Sequence, residues 1–270
     1  MIKTFRRRLN VYLAFAAMTP KLFLAYSAWV WVEFFAQILS MTIFVFFWRA
    51  VYAENTVISG LSLQQTLNYI LIAQVLAPIV QSRSVFRMGW LIGNGMIAVE
   101  LIRPVDFQAR SYVESLADLA TFLITKIPLA LLAWLIFGLQ LPGDPLVWVC
   151  FAVSLLLGAT IIFFADWAFS CLAFYTTETW GLSVVREGVV AFFSGALLPL
   201  AMMPGWLQAI GRALPFAQVL YVPVSILGGI IPVASAPGAW LIQLLWIAGL
   251  GLFSRVFYNI AIRKVTVQGG

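Results

Sequence analysis

The chain has 270 residues, 63% of them hydrophobic and 10% charged, and its mean hydropathy of +1.00 lies well outside the range of soluble domains. Runs of about 20 apolar residues can be laid out roughly six times along it, so composition predicts an all-α polytopic membrane protein, one domain over residues 1–270, with no room for a separate soluble domain. The net charge of +6 does not point to nucleic acid, because the basic residues sit scattered at the ends of apolar runs, and the absence of histidine removes imidazole acid–base chemistry and the commonest transition-metal ligand.

In chain order, residues 1–22 combine Lys3, Arg6, Arg7 and Arg8 with Ile2, Phe5, Leu9, Tyr12, Leu13 and Ala16 near one side of a helix. This is an interfacial amphipathic pattern that touches membrane lipid; the apolar stretch is too weak, and is broken too early by Pro20 and Lys21, for a cleaved leader. A first span is expected from Ala25 to Trp48. It carries Glu33 and Gln37 at a depth where an ionisable group must be paired or face water, so Glu33 either meets a cationic ligand or accepts a hydrogen bond from a neighbouring helix. An outer loop, Arg49 to Leu61, leads to a second span over Leu63–Val80.

From Gln81 to Glu114 a polar and basic stretch interrupts the apolar pattern, with residues 83–115 expected to form a cytoplasmic coupling loop. Gly89, Gly93 and Gly95 permit bends before a short helix-like run from Met96 to Ile102, which Pro104 ends. Met96, Val99 and Leu101 beside Glu100 and Arg103 make a mixed apolar and charged surface, which suits a groove on another protein or the lipid surface.

A third span is expected over Asp118–Phe137, with Lys126 snorkelling to the inner headgroups or bridging to Asp118 through another group. Pro142-Gly143-Asp144-Pro145 reads as a tight outer turn before a fourth span, Leu146 to Phe169, which carries Asp166 near its inner end and Gly158 where another helix can approach closely. Cys150 and Cys171 lie about one membrane thickness apart on this helix and cannot bridge. A polar inner segment, Thr176 to Glu187, precedes a fifth run, Gly188 to Met203. Repeated prolines and glycines over residues 194–235 then favour short broken helices dipping in from the outer face, before a last crossing from Ala239 to Phe257.

With both termini inside, Lys3, Lys21, Arg83, Arg87, Arg103, Arg110, Arg186, Arg263 and Lys264 all fall on the cytoplasmic side, and only Arg49 and Arg212 fall outside. The residues alone leave several classes open. An ion channel or structural subunit would show more polar lining than Glu33, Gln37 and Asp166 supply, and secondary transport would show internal repeats. An intramembrane enzyme lacks a histidine base.

The pattern resembles the membrane subunit of a type-2 ABC exporter. The likeness rests on the amphipathic start, on Leu101-Ile102-Arg103-Pro104 after the glycines, on Ser194-Gly195-Ala196-Leu197-Leu198-Pro199-Leu200, and on Pro204-Gly205-Trp206-Leu207 with Leu214-Pro215-Phe216. Leu63 to Gln74 is similar to a subfamily that usually pairs two different permeases with one ATPase. The resemblance implies a dimeric permease in the bacterial inner membrane, made with an identical or related second permease. Two ABC ATPase subunits would bind ATP and Mg, while this chain holds no cofactor and no G-x-x-x-x-G-K-[ST] loop. By position, Met96, Val99, Glu100, Leu101 and Arg103 would couple to the ATPase, Glu33, Gln37 and Asp166 are pathway candidates, and Gly195, Pro199, Pro204 and Pro215 would form the outer gate. The implied substrate is a hydrophobic or cationic drug-like compound or a lipid-linked molecule.

Overall fold

A computed structural model describes Tyr12, Ala14, Phe15, Ala17 and residues 27–81, 84–176 and 179–264. Most of the expected interfacial helix over residues 1–22 lies outside the described residues, as do Arg83 and Glu178. The helices are α1 (Ser27–Val51), α2 (Leu63–Leu76), α3 (Ser84–Gly93), α4 (Ile97–Leu101), α5 (Phe107–Thr125), α6 (Ile127–Phe137), α7 (Pro145–Ser170), α8 (Thr179–Phe193), α9 (Gly205–Ala213), α10 (Tyr221–Leu227) and α11 (Ala236–Ala261). A two-stranded hairpin, β1 (Val57–Ile58) paired antiparallel with β2 (Leu61–Ser62), interrupts this all-α architecture between α1 and α2.

Five helical segments are long and apolar enough to cross a membrane, and the bent pair Gly205–Ala213 and Pro215–Leu227 would raise the count to six. The pair bends by 75°, as the clustered prolines require, and is re-entrant-like in shape. Short-range chemistry fixes most boundaries. Ser62 and Gln65 form a capping box on α2, Asp144 accepts from the Leu146 amide ahead of Pro145 at the start of α7, and Gly138 ends α6 in the left-handed region at φ 72°.

Two expectations are corrected here. The third span begins at Phe107, and Phe107–Phe137 is 31 residues, about 46 Å, so roughly ten residues project beyond a 30 Å hydrocarbon core. It is divided at Lys126 because Pro128 in the first turn of α6 has no amide to continue the ladder. The fifth crossing is not Gly188–Met203: α8 begins at Thr179 and stops at Phe193, where Gly195 turns the chain at φ 81°. The polar inner segment expected over Thr176–Glu187 is helical from Thr179 onward.

The main core joins α1, α2, α6, α7 and α10 through Met41, Val45, Ile70, Leu129, Ile161 and Leu220. A second cluster binds α3, α4, α5, α7 and α11 at one end of the bundle, through Met88, Ile97, Phe107, Trp167 and Tyr258. Gly158 is the close approach that its sequence position suggested: a Cβ there would come within 2.7 Å of the Val219 carbonyl. Its neighbour is the bent hairpin rather than a straight crossing helix.

Candidate functional site

The end of the bundle that carries α3 and α4 is held by charge. Arg110, fully buried in the first turn of α5, pairs with Glu100 of α4 and lies 3.4 Å from Glu114, and its guanidinium covers the rings of Phe15 and Phe107. Glu100 also meets Arg103 at 3.4 Å, and Glu114 meets Arg87 of α3 at 3.4 Å. Asp106 caps α5 by accepting from the Ala109 amide at 2.8 Å and pairs with Arg255 of α11 at 2.6 Å. Burial alone would raise the Asp106 carboxyl, but hydrogen bonds from Arg255 and the backbone amides outweigh it and hold it below the ordinary range.

This framework presents α4 outward. Ile97 is buried and Leu101 packs partly buried against the second core, whereas Met96, Val99 and Ile102 stand out, Ile102 being 81% exposed. Of the five residues expected to couple, Met96, Val99 and Arg103 are thus on the surface. Glu100 and Leu101 face the protein and hold the helix in place.

Two ion pairs lie within the apolar bundle. Lys126 donates to Glu33 and to Gln37, each at 2.7 Å, and sits 5.3 Å from the Phe122 ring centroid. Gln37 in turn donates to the Gln74 carbonyl at 2.9 Å, and Ser40 to the Gln74 side chain at 3.0 Å. This corrects the snorkelling expectation for Lys126, which turns inward because the Glu33 carboxylate and the Gln37 amide oxygen meet it there. The Lys126 side chain is 10% exposed while that of Glu33 is 48% exposed, so the pair has one open side.

Asp166 is paired differently. Arg186 of α8 grips both of its oxygens, with Nε and Nη2 each at 2.7 Å, and Nη1 donates to the Val80 carbonyl at 2.5 Å. Both side chains are buried. Arg186, placed on the cytoplasmic side in the sequence, is thus a buried partner of Asp166 and Val80 rather than an exposed charge. Beside the pair is a cavity of about 90 Å³, lined by Phe169, Val185, Val189 and Phe216.

At the opposite end Tyr69, wholly buried in α2, donates to the Gly195 carbonyl at 2.8 Å, and a Cβ on Gly195 would come within 2.5 Å of the Tyr69 hydroxyl. Pro199 opens a 3-10 turn, Pro204 precedes α9, and Pro215 opens the 3-10 turn that leads toward α10. Gln243 of α11 donates to the Ser154 and Gln218 carbonyls at 3.0 and 2.8 Å, tying α7 to the hairpin. Phe163 and Trp167 are buried in aromatic packing with Phe107, Tyr112 and Tyr258.

Sequence reading missed Lys126, Arg186 and Gln243 as anchors, although each is a strongly polar side chain in an otherwise apolar helix stretch. That isolation is the signal that would have found them. No curated protein matches the chain. Residues 38–269 match the family described as ABC-2 family transporter protein. That match covers most of a polytopic helical chain carrying a bent hairpin, a charged end and no nucleotide loop of its own. The chain therefore belongs to the ABC-2 family and is the integral membrane component of an ABC-2 type transporter.

Proposed function

We propose that this chain is the permease subunit of an ATP-driven exporter, dimerising with an identical or related permease and taking its driving force from two cytoplasmic ABC ATPase subunits that carry ATP and Mg. The observation that supports this reading best is α4. It exposes Met96, Val99 and Ile102 with Arg103 at the charged end, on a helix fixed from behind by Glu100 and Arg110. An apolar ridge with a rigid backing transmits a push, whereas a loosely held one would absorb it. On this reading the charged end and both termini are cytoplasmic in a bacterial inner membrane, and Gly195, Pro199, Pro204 and Pro215 shape the outer gate.

The half-exposed carboxylate of Glu33, with Gln37 beside it, is the pathway candidate that a ligand can reach, and it suits a hydrophobic or cationic drug-like compound or the polar head of a lipid-linked molecule. Asp166 also belongs to the pathway, although Arg186 rather than a ligand neutralises it.

Affinity purification from native membranes in mild detergent tests the reading. Wild-type chain recovers a nucleotide-binding ATPase with ATP hydrolysis. Val99→Arg, on the exposed side of α4, leaves the melting temperature unchanged and loses the ATPase or its coupled hydrolysis. Recovery of an unaltered, fully coupled complex with Val99→Arg would remove α4 from the mechanism. Leu101→Arg is the poorer probe, because Leu101 is part of the packing.

A further inference from the structure

Helix α8 leans on α3, where Thr179 sits close against Gly89, and buries little of its own length. Of its 15 residues only Arg186 and Val190 are buried, and Trp180, Val184, Val185 and Val189 face outward. Its polar link to α7 is the Arg186 guanidinium, which spends its donors on Asp166 and on the carbonyl of Val80, where the 3-10 turn after α2 ends. Directly beside this knot, across the 90 Å³ cavity, is Phe216 from the 3-10 turn at the bend of the hairpin. Next to that turn, Val219 is pressed on Gly158.

We propose that Arg186 is a positioning residue for transport, a releasable pin. While it holds Asp166 and Val80 together, α8 is drawn against α7 and Phe216 stays seated over the cavity. When α8 swings away the pair opens, the cavity widens on the side of Val185 and Val189, and the hairpin turn is free to lift. The physical ground is the cost of the contact. Two buried charges give up hydration that their attraction barely returns, and apolar side chains of similar size would hold two helices together as well, so the pair suits a joint that must come apart. This proposal rests on the permease reading, since it assigns α8 and the hairpin to the moving part of a transporter.

The test uses the full chain in liposomes, with Cys150→Ala and Cys171→Ala removing the native thiols and Phe216→Cys reporting on the hairpin turn through its rate of labelling by a small uncharged maleimide. Replacing the whole pair, Asp166→Leu with Arg186→Met, removes both members of the ion pair at once, and such a variant is expected to fold. A pin predicts several-fold faster labelling of Phe216→Cys in that variant at an unchanged melting temperature. Arg186→Lys keeps the charge but loses the planar fork, and it should fall between the two. A folded double variant with an unchanged labelling rate overturns the proposal. Should the double variant fail to fold, Arg186→Lys decides alone: faster labelling supports the pin and an unchanged rate rejects it. Labelling needs neither ATPase nor substrate, so its outcome is separate from that of the ATPase-recovery experiment.

Discussion

Asp166–Arg186 and Glu33–Lys126 both join neighbouring apolar helices, yet in the first both side chains are buried and in the second one is half exposed. Arg186 is gripped at two oxygens and a backbone carbonyl, with neither partner reaching the surface. Lys126 makes single contacts to Glu33 and Gln37, and Glu33 is 48% exposed. The lesson is that an acid and a base on two helices do not define one kind of site. Burial and geometry decide whether the pair is a fastening between helices or a polar group that a ligand can address.

Removing the cation from each pair sharpens the contrast. Arg186→Met takes the guanidinium away from the buried Asp166 carboxylate, and should cost about 3–5 kcal/mol, read as a large drop in melting temperature in detergent. Lys126→Met leaves Glu33 free to turn toward polar surroundings, and the loss should be about 1–2 kcal/mol, mostly the unpaired Gln37 oxygen. Equal losses for the two variants would break the comparison.

The third pair, Asp106–Arg255, stands at the charged end and gives the smallest effect. The Asp106 carboxyl is held below its unfolded value, so its stabilisation is present above about pH 4 and is lost as pH falls through its lower folded value. The melting temperature should be level from about pH 7 to pH 5 and decline below about pH 4, with a shallower decline in Asp106→Asn. A parallel decline in both proteins would remove Asp106 from the pH response.

Much of this fold is written in local chemistry. The apolar runs of α1, α7 and α11 were legible to within a few residues, since length and hydropathy alone mark a bilayer crossing. The bent hairpin was legible from Pro204, Gly205, Pro215 and Pro223, which cannot sustain one straight helix. What escaped was pairing between distant positions. Nothing near Arg186 in the chain announces Asp166 or Val80, and a lone arginine beside a helix end reads equally as a topology signal. Likewise Leu101 and Val99 look alike in composition, and only the packing of Leu101 against the second core separates them. Gly195 was noticed as part of a motif, but its reason is Tyr69, more than a hundred residues away, whose hydroxyl occupies the space of a side chain.

The pairing inside the bundle also has an electrical side. A single charge moved across a membrane gains or loses about 2.3 kcal/mol per 100 mV, enough to make a machine sense voltage. Lys126 rides with Glu33 and Arg186 with Asp166, so as long as each couple stays together its sum is zero and the field does no net work on it. A shift that keeps either couple closed is therefore not driven by the field through that couple, whereas opening the Asp166–Arg186 pin would put two separated charges into it.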